Sequence, residues 1–298
     1  MVKKAKRKKK KKVSFLIFLV RLSYIAFLLC LMSSKSIDIN KVIITEQDIN
    51  LSDFFLSKIF LTETGKTKIF SHISMRIPEV SENKHDFLNN LLLILDGDPY
   101  LWILVDKENT LNENFIPHDL VEIKTCINTA NSGYMLRKEA SDSLAEMISS
   151  AGSEGLALTV LSAYRSFNYQ NEIYTYYREI IGLEEVDMIS ARPGHSQHQL
   201  GLAVDFNFLD NEQAFSPEGI WLSENASRFG WSLSYPQGYE EITGFYWESW
   251  HYRYVGRELA GFIDKYFEGI QQNALLYIND FFKQLNDLNI ELHDFLHF

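Results

Sequence analysis

Cysteine is almost missing from this 298-residue chain: only Cys30 and Cys126 occur. Cys30 lies inside an apolar N-terminal run, so the body holds a single thiol and an internal disulfide is excluded. Cys126 reads as a small buried hydrophobe. Acidic residues are absent before Asp38, whereas ten of the 29 basic residues fall between Lys3 and Arg21. Setting those ten aside leaves 19 basic against 39 acidic residues, so the formal charge of −10 understates how acidic the body is. Such a body argues against nucleic acid as an electrostatically held partner. Internal repeats are missing, and the Lys run is the one low-complexity tract. What remains is 46% hydrophobic and long enough to bury one main domain with extensions.

A basic run over Lys3 to Lys12 followed by an apolar run over Val13 to Met32 is the pattern of an export signal or a membrane anchor. The apolar run approaches the ~20 residues needed to span a bilayer. Arg21 in its middle costs a permanent span roughly 2.5–3.5 kcal/mol. If Arg21 instead closes the basic region, Leu22 to Met32 is a signal-peptide core of ordinary length. No A-x-A site follows it, and Leu28-Leu29 lacks the small residue expected before a lipidated Cys30. Residues 1–34 are therefore expected to be a signal peptide or anchor, with the body outside the cytoplasm. Residues 35–99 form an N-terminal extension, 100–270 the main domain and 271–298 a helical C-terminal extension.

Within the body, His85 to Leu95 has an amphipathic pattern and Tyr100 to Val105 predicts a strand. Leu136 to Ala151 predicts a helix, with Ala140, Leu144, Met147, Ile148 and Ala151 on one face. Leu156 to Leu161 reads as a buried strand, Asn168 to Ile181 as a helix, and Trp250 to Val255 as a strand before a helix from Arg257. In Leu202 to Phe208, Leu202, Val204 and Phe206 face one way while Ala203, Asp205 and Asn207 face the other. Helices mixed with strands on short connections indicate an α+β fold.

The chemistry concentrates in Pro193 to Asp205 and in Glu248-Ser249-Trp250-His251. His198, Asp205 and His251 offer three metal ligands, and Glu248 a carboxylate to work beside them, the donor inventory of a catalytic zinc site. Gly201 supplies the backbone freedom to fold the His198 loop over the strand that carries Asp205. A carboxylate on an apolar strand is costly to bury unless it meets a cation or several donors. Glu248 and His251 stand three apart, which in a regular strand sends them to opposite faces. A bend at Ser249-Trp250 is therefore expected. His195 is read as a neighbour of the site or an exposed residue rather than a ligand.

Ser196-x-His198-x-x-Gly201-x-Ala203-x-Asp205, Glu248-x-Trp250-His251 and Ser162-Ala-Tyr-Arg165-Ser166 with Gln170 together resemble the VanY-type D-alanyl-D-alanine carboxypeptidases. These are relatives of the VanX dipeptidases with a hedgehog-like fold. The resemblance runs from about Tyr100 to Leu259 and implies a central antiparallel sheet flanked by helices. It implies Zn2+ on His198, Asp205 and His251, with Glu248 as general base and acid. It also implies that Arg165 neutralises the developing oxyanion, a task that suits a permanently charged, planar guanidinium. Ser196, Gln170 and Trp250 are the candidate substrate contacts, and Tyr252 and Arg253 are structural or rim residues.

The function so implied is removal of the terminal D-Ala from peptidoglycan stem peptides. An L,D-carboxypeptidase or an endopeptidase would use the same chemistry. A non-catalytic zinc-containing module that binds wall peptides is disfavoured because pure binding needs neither Glu248 nor Arg165. A purely structural metal would call for a fourth protein ligand, and none has suitable spacing.

Overall fold

The computed structural model describes residues 84–124 and 127–287. The expected N-terminal signal or anchor, most of the expected 35–99 extension, Cys126 and residues 288–298 lie outside the described residues. Among those described, no helix is long and apolar enough to cross a membrane.

In chain order the elements are helix α1 (Lys84–Asp96), strands β1 (Leu120–Glu122), β2 (Asn128–Thr129) and β3 (Met135–Arg137), helix α2 (Lys138–Ser153) and strand β4 (Thr159–Ser162). Helices α3 (Phe167–Ile181) and α4 (Leu183–Ile189) follow, then β5 (Ala203–Phe206), α5 (Pro217–Asn225) and β6 (Trp231–Leu233). The chain continues through α6 (Glu240–Thr243), β7 (His251–Tyr254), α7 (Arg257–Phe267) and α8 (Gln271–Asp287). Five strands form one sheet in the order β2-β4-β5-β7-β6, and β1 pairs with β3 in a separate ribbon. The sheet is mixed: β2 joins β4 in parallel at one edge, and every other neighbour is antiparallel.

Helix α2 forms where the apolar spacing places it. Ala140, Leu144, Met147 and Ala151 are fully buried on one face, packed with Val160, Val204 and Phe206 of the sheet. Helix α3 starts at Ser166, whose Oγ accepts the Tyr169 N–H at 3.2 Å as an N-cap. It stops at Gly182, whose φ of 86° few side chains tolerate. A second apolar cluster joins α1, α7 and α8 through Phe87, Leu91, Phe262, Leu275 and Ile278. Helix α8 over Gln271–Asp287 falls within the expected C-terminal extension and buries Leu275 and Ile278 in this cluster.

The strand expected over Tyr100 to Val105 is not formed. Pro99 opens a 3-10 turn over Pro99–Leu101, with Asp98 Oδ1 accepting the Tyr100 N–H at 2.9 Å. The carbonyls of Tyr100, Leu101 and Ile103 accept Arg253 Nη2 at 3.4, 3.1 and 2.9 Å instead of entering a ladder. Arg253 is fully buried in β7, which makes it structural rather than a rim residue.

Candidate metal centre

Three adjacent strands present the site. Asp205 on β5 stands opposite Ser162 on β4 and opposite His251 on β7. Residues facing one another in such pairs have Cβ atoms about 4.5–5.5 Å apart, so the register alone brings their side chains together. Val204 and Phe206 turn into the core beneath, as the alternation requires.

His198 arrives from the loop ahead of β5. Ser196 caps a 3-10 turn over Gln197–Leu200, its Oγ accepting the His198 N–H at 3.3 Å. The turn ends at Gly201, with a φ of 66°. A Cβ there would stand 2.8 Å from Leu120 Cδ2, so the left-handed conformation favours glycine and any side chain would have to push Leu120 aside. Downstream, the bend expected at Ser249-Trp250 is present. The His251 N–H bonds Glu248 O at 3.2 Å, and Ser249 N–H bonds Asn211 Oδ1 at 3.1 Å. Glu248 and His251 therefore share one side, with Glu248 Oε2 3.6 Å from His251 Nδ1.

Ligand atoms of His198, Asp205 and His251 all lie within 4.8 Å of one another. His198 Nε2 is 3.3 Å from Asp205 Oδ2, and His251 Nδ1 is 3.1 Å from Asp205 Oδ1. Two donors on one tetrahedral zinc, each bonded at 2.0–2.1 Å, stand about 3.3 Å apart, so this donor set fits the ion. Asp205 Oδ1 is buried without a hydrogen bond among the described residues, an arrangement that suits a cation better than an empty space. His198 Nδ1 faces Ala163 O at 2.7 Å, which holds its proton there and leaves Nε2 bare toward Asp205.

The electrostatics agree. Burial, then Arg165, pushes His198 down to about 4, so its imidazole is neutral and ready to ligate. Burial alone would raise Asp205, but the two imidazoles and Arg165 hold it well below the usual carboxylate range. Glu248 is pushed well above that range, first by burial and then by the Asp205 charge. Its raised basicity suits proton transfer near neutral pH.

Arg165 Nη2 bonds Asp205 Oδ2 at 2.8 Å and Nε bonds Ser162 Oγ at 2.8 Å. Gln170 is buried on α3, with Oε1 3.5 Å from Arg165 Nη1 and Nε2 donating to Ala191 O at 2.8 Å. Trp250 is half-buried, and its carbonyl accepts the Phe206 N–H at 3.0 Å. His195 stays out of the ligand cluster, with Nδ1 2.7 Å from Asp106 O.

Sequence reasoning missed several neighbours. Tyr235 packs on the His251 ring at 4.8 Å between centroids, Phe245 packs on Tyr235 at 4.7 Å, and Lys107 Nζ sits 3.6 Å over Phe245. Gln197 Oε1 lies 3.2 Å from His251 Nε2. Gln197 had a signal, being next to the candidate ligand His198; Lys107 and Tyr235 had none, since only the fold brings them to the site.

Residues 133–257 match the family model described as VanY: D-alanyl-D-alanine carboxypeptidase. The putative carboxypeptidase YodJ of Bacillus subtilis (strain 168) is 34% identical over 57% of this chain and 67% of its own length. A D-alanyl-D-alanine carboxypeptidase of Enterococcus faecium is 32% identical over 57% of this chain and 52% of its own. The chain thus spans about half to two thirds of these curated relatives. Among solved structures, the LdcB LD-carboxypeptidase superposes with a TM-score of 0.55 at 32% identity, covering 58% of this chain and 85% of that one. The D,D-dipeptidase VanXYg, solved with a D-Ala-D-Ala phosphinate analogue, gives 0.51 at 26% identity, over 61% of this chain and 70% of that one.

Proposed function

Because this chain belongs to the VanY family of D-alanyl-D-alanine carboxypeptidases, we propose that it is a zinc peptidase removing the terminal D-Ala from peptidoglycan stem peptides. The observation that carries the reading is the convergence of His198, Asp205 and His251 within 4.8 Å, with Glu248 Oε2 3.6 Å from His251 Nδ1. His198 through Nε2, Asp205, and His251 through Nδ1 would hold the ion. When bound, zinc supplies Lewis-acid polarisation and lowers the pKa of water to roughly 7.

The protein's own residues do the rest. Glu248, with its raised proton affinity, takes the proton of the attacking water and returns it to the departing D-alanine amine. Arg165 spends some of its donors on Ser162 and Asp205, which fix the guanidinium in place. Its remaining N–H groups stabilise negative charge growing on the scissile carbonyl oxygen. Ser196 and Gln170 shape the pocket mainly by bracing His198 and Arg165, and Trp250 is proposed to line it. The basic and apolar N-terminal segment would carry the domain across the cytoplasmic membrane, as a cleaved signal or an anchor, to the wall side.

Incubation with muramyl pentapeptide and tetrapeptide, followed by mass analysis, tests the proposal. Loss of one D-Ala from the pentapeptide alone is expected. A second reading, L,D-carboxypeptidase, is favoured by the likeness to LdcB; shortening of the tetrapeptide would establish it. Internal cleavage would mark an endopeptidase, and no cleavage of either peptide a binding module.

A further inference from the structure

His251 reaches the site with one ring nitrogen and is gripped by the other. Nδ1 faces Asp205 Oδ1 at 3.1 Å, and Nε2 faces Gln197 Oε1 at 3.2 Å. A neutral imidazole carries one N–H, so its ability to ligate through Nδ1 depends on the proton residing on Nε2. Were the proton on Nδ1, it would lie between His251 and Asp205, and that nitrogen would have no lone pair for a metal.

The grip on Nε2 continues inward. Ser234 Oγ donates to Gln197 Oε1 at 2.7 Å, and Gln197 Nε2 lies 3.4 Å from Gln271 Oε1. Gln271 Nε2 donates in turn to the Ser232 carbonyl at 3.2 Å. Gln197, Ser234 and Gln271 are each no more than 2% exposed, so water does not compete for these groups. An amide side chain can flip, but a backbone carbonyl can only accept. Ser232 O therefore fixes which end of Gln271 faces it, Gln271 fixes Gln197, and Gln197 must present oxygen to His251. The direction of the whole chain follows from one backbone atom.

We propose that Gln197, oriented by Gln271 at the first residue of α8, is the positioning residue that holds His251 in the tautomer able to bind metal. Helix α8 thereby becomes part of the metal centre although it lies beyond the residues matched by the family model, which end at 257. Its neighbouring residue adds a second tie: Gln272 Nε2 donates to Asp106 Oδ2 at 2.8 Å, and Asp106 O is the partner of His195 Nδ1. This inference rests on the reading that His198, Asp205 and His251 hold the ion.

The test uses the full chain, freed of metal and then titrated with Zn2+ against a chelating indicator. Gln197→Leu should weaken Zn2+ binding roughly 10- to 100-fold, the usual loss when a partner of a ligating histidine is removed. Gln197→Glu, which still accepts from Nε2 but turns its second oxygen toward Gln271 Oε1, should bind more tightly than Gln197→Leu. Gln271→Leu should fall between them. In the wild-type apoprotein labelled at histidine nitrogen, NMR should show His251 protonated on Nε2. Protonation on Nδ1, or a Gln197→Leu chain that folds and binds Zn2+ like the wild type, overturns the proposal. A Gln197→Leu chain that fails to fold leaves the Gln197→Glu affinity and the wild-type tautomer to decide it. A wild-type chain that binds no Zn2+ at all overturns the underlying reading instead, and the inference with it.

Discussion

Asp205 and His251 stand directly opposite one another on adjacent antiparallel strands, with Oδ1 and Nδ1 3.1 Å apart. Two of the three candidate ligands are therefore built into the sheet register, and His198 alone among the three depends on a loop. A one-residue slip of β7 would turn His251 to the other face and dismantle the centre.

Removal of metal should cost both activity and stability. An ion bound to the folded chain alone stabilises it by about 2.7 kcal/mol at 100 times its Kd. Dialysis against a chelator is expected to lower the thermal midpoint and abolish D-alanine release, and added Zn2+ to restore both. Unchanged calorimetric melting with and without the chelator would argue against a bound ion.

Gly201→Ala tests the loop that delivers His198. Its φ of 66° and the 2.8 Å approach of a Cβ to Leu120 Cδ2 act together. A loss of about 1–3 kcal/mol in denaturant unfolding is expected, along with weaker Zn2+ binding because Gly201 follows the ligand-bearing turn. Wild-type stability in this variant would mean that the loop relaxes freely.

Arg165→Lys keeps the charge but not the fork that bonds Ser162 and Asp205 at once. A fall in kcat of roughly 10^2–10^3 is expected, the usual cost of losing an oxyanion donor. Bound Zn2+ should stay at the wild-type stoichiometry. Steady-state kinetics with a metal assay separates this from simple loss of the ion.

Lys107 gives a pH signature. Burial pushes it from 10.5 down to about 8, against the partial support of Asp187. Between those values the unfolded chain binds the proton more than the folded one, so this group makes stability rise with pH from about 8 to 10.5. Lys107→Met lacks that contribution. The stability of the wild type relative to Lys107→Met should accordingly increase across this interval in urea titrations, and a flat difference would contradict the shift.

Much of this was legible in the sequence because the information is local. The candidate ligands on β5 and β7, the glycine between His198 and Asp205, and the bend at Ser249-Trp250 could be read from spacing and side-chain direction, and the family resemblance implied the assignment of the ligand set. What was not legible depends on partners far along the chain. Tyr100 to Val105 is apolar enough for a strand, but Arg253, 150 residues or more away, takes its carbonyls. The parallel seating of β2 at the sheet edge has no periodic signature. Gln197 and Gln271 are 74 residues apart, and no pattern in either segment announces the other. Lys107 reaches the aromatic stack behind His251 only through tertiary packing.

The central claim is that three ligands hold one zinc while Glu248, outside the ligand set, moves the proton. Zinc content and D-alanine release measured together on Glu248→Ala test it most directly. The account predicts one zinc per chain, as in the wild type, with release from muramyl pentapeptide reduced at least ~10^2-fold. A variant that holds its zinc and still releases D-alanine at the wild-type rate would contradict it.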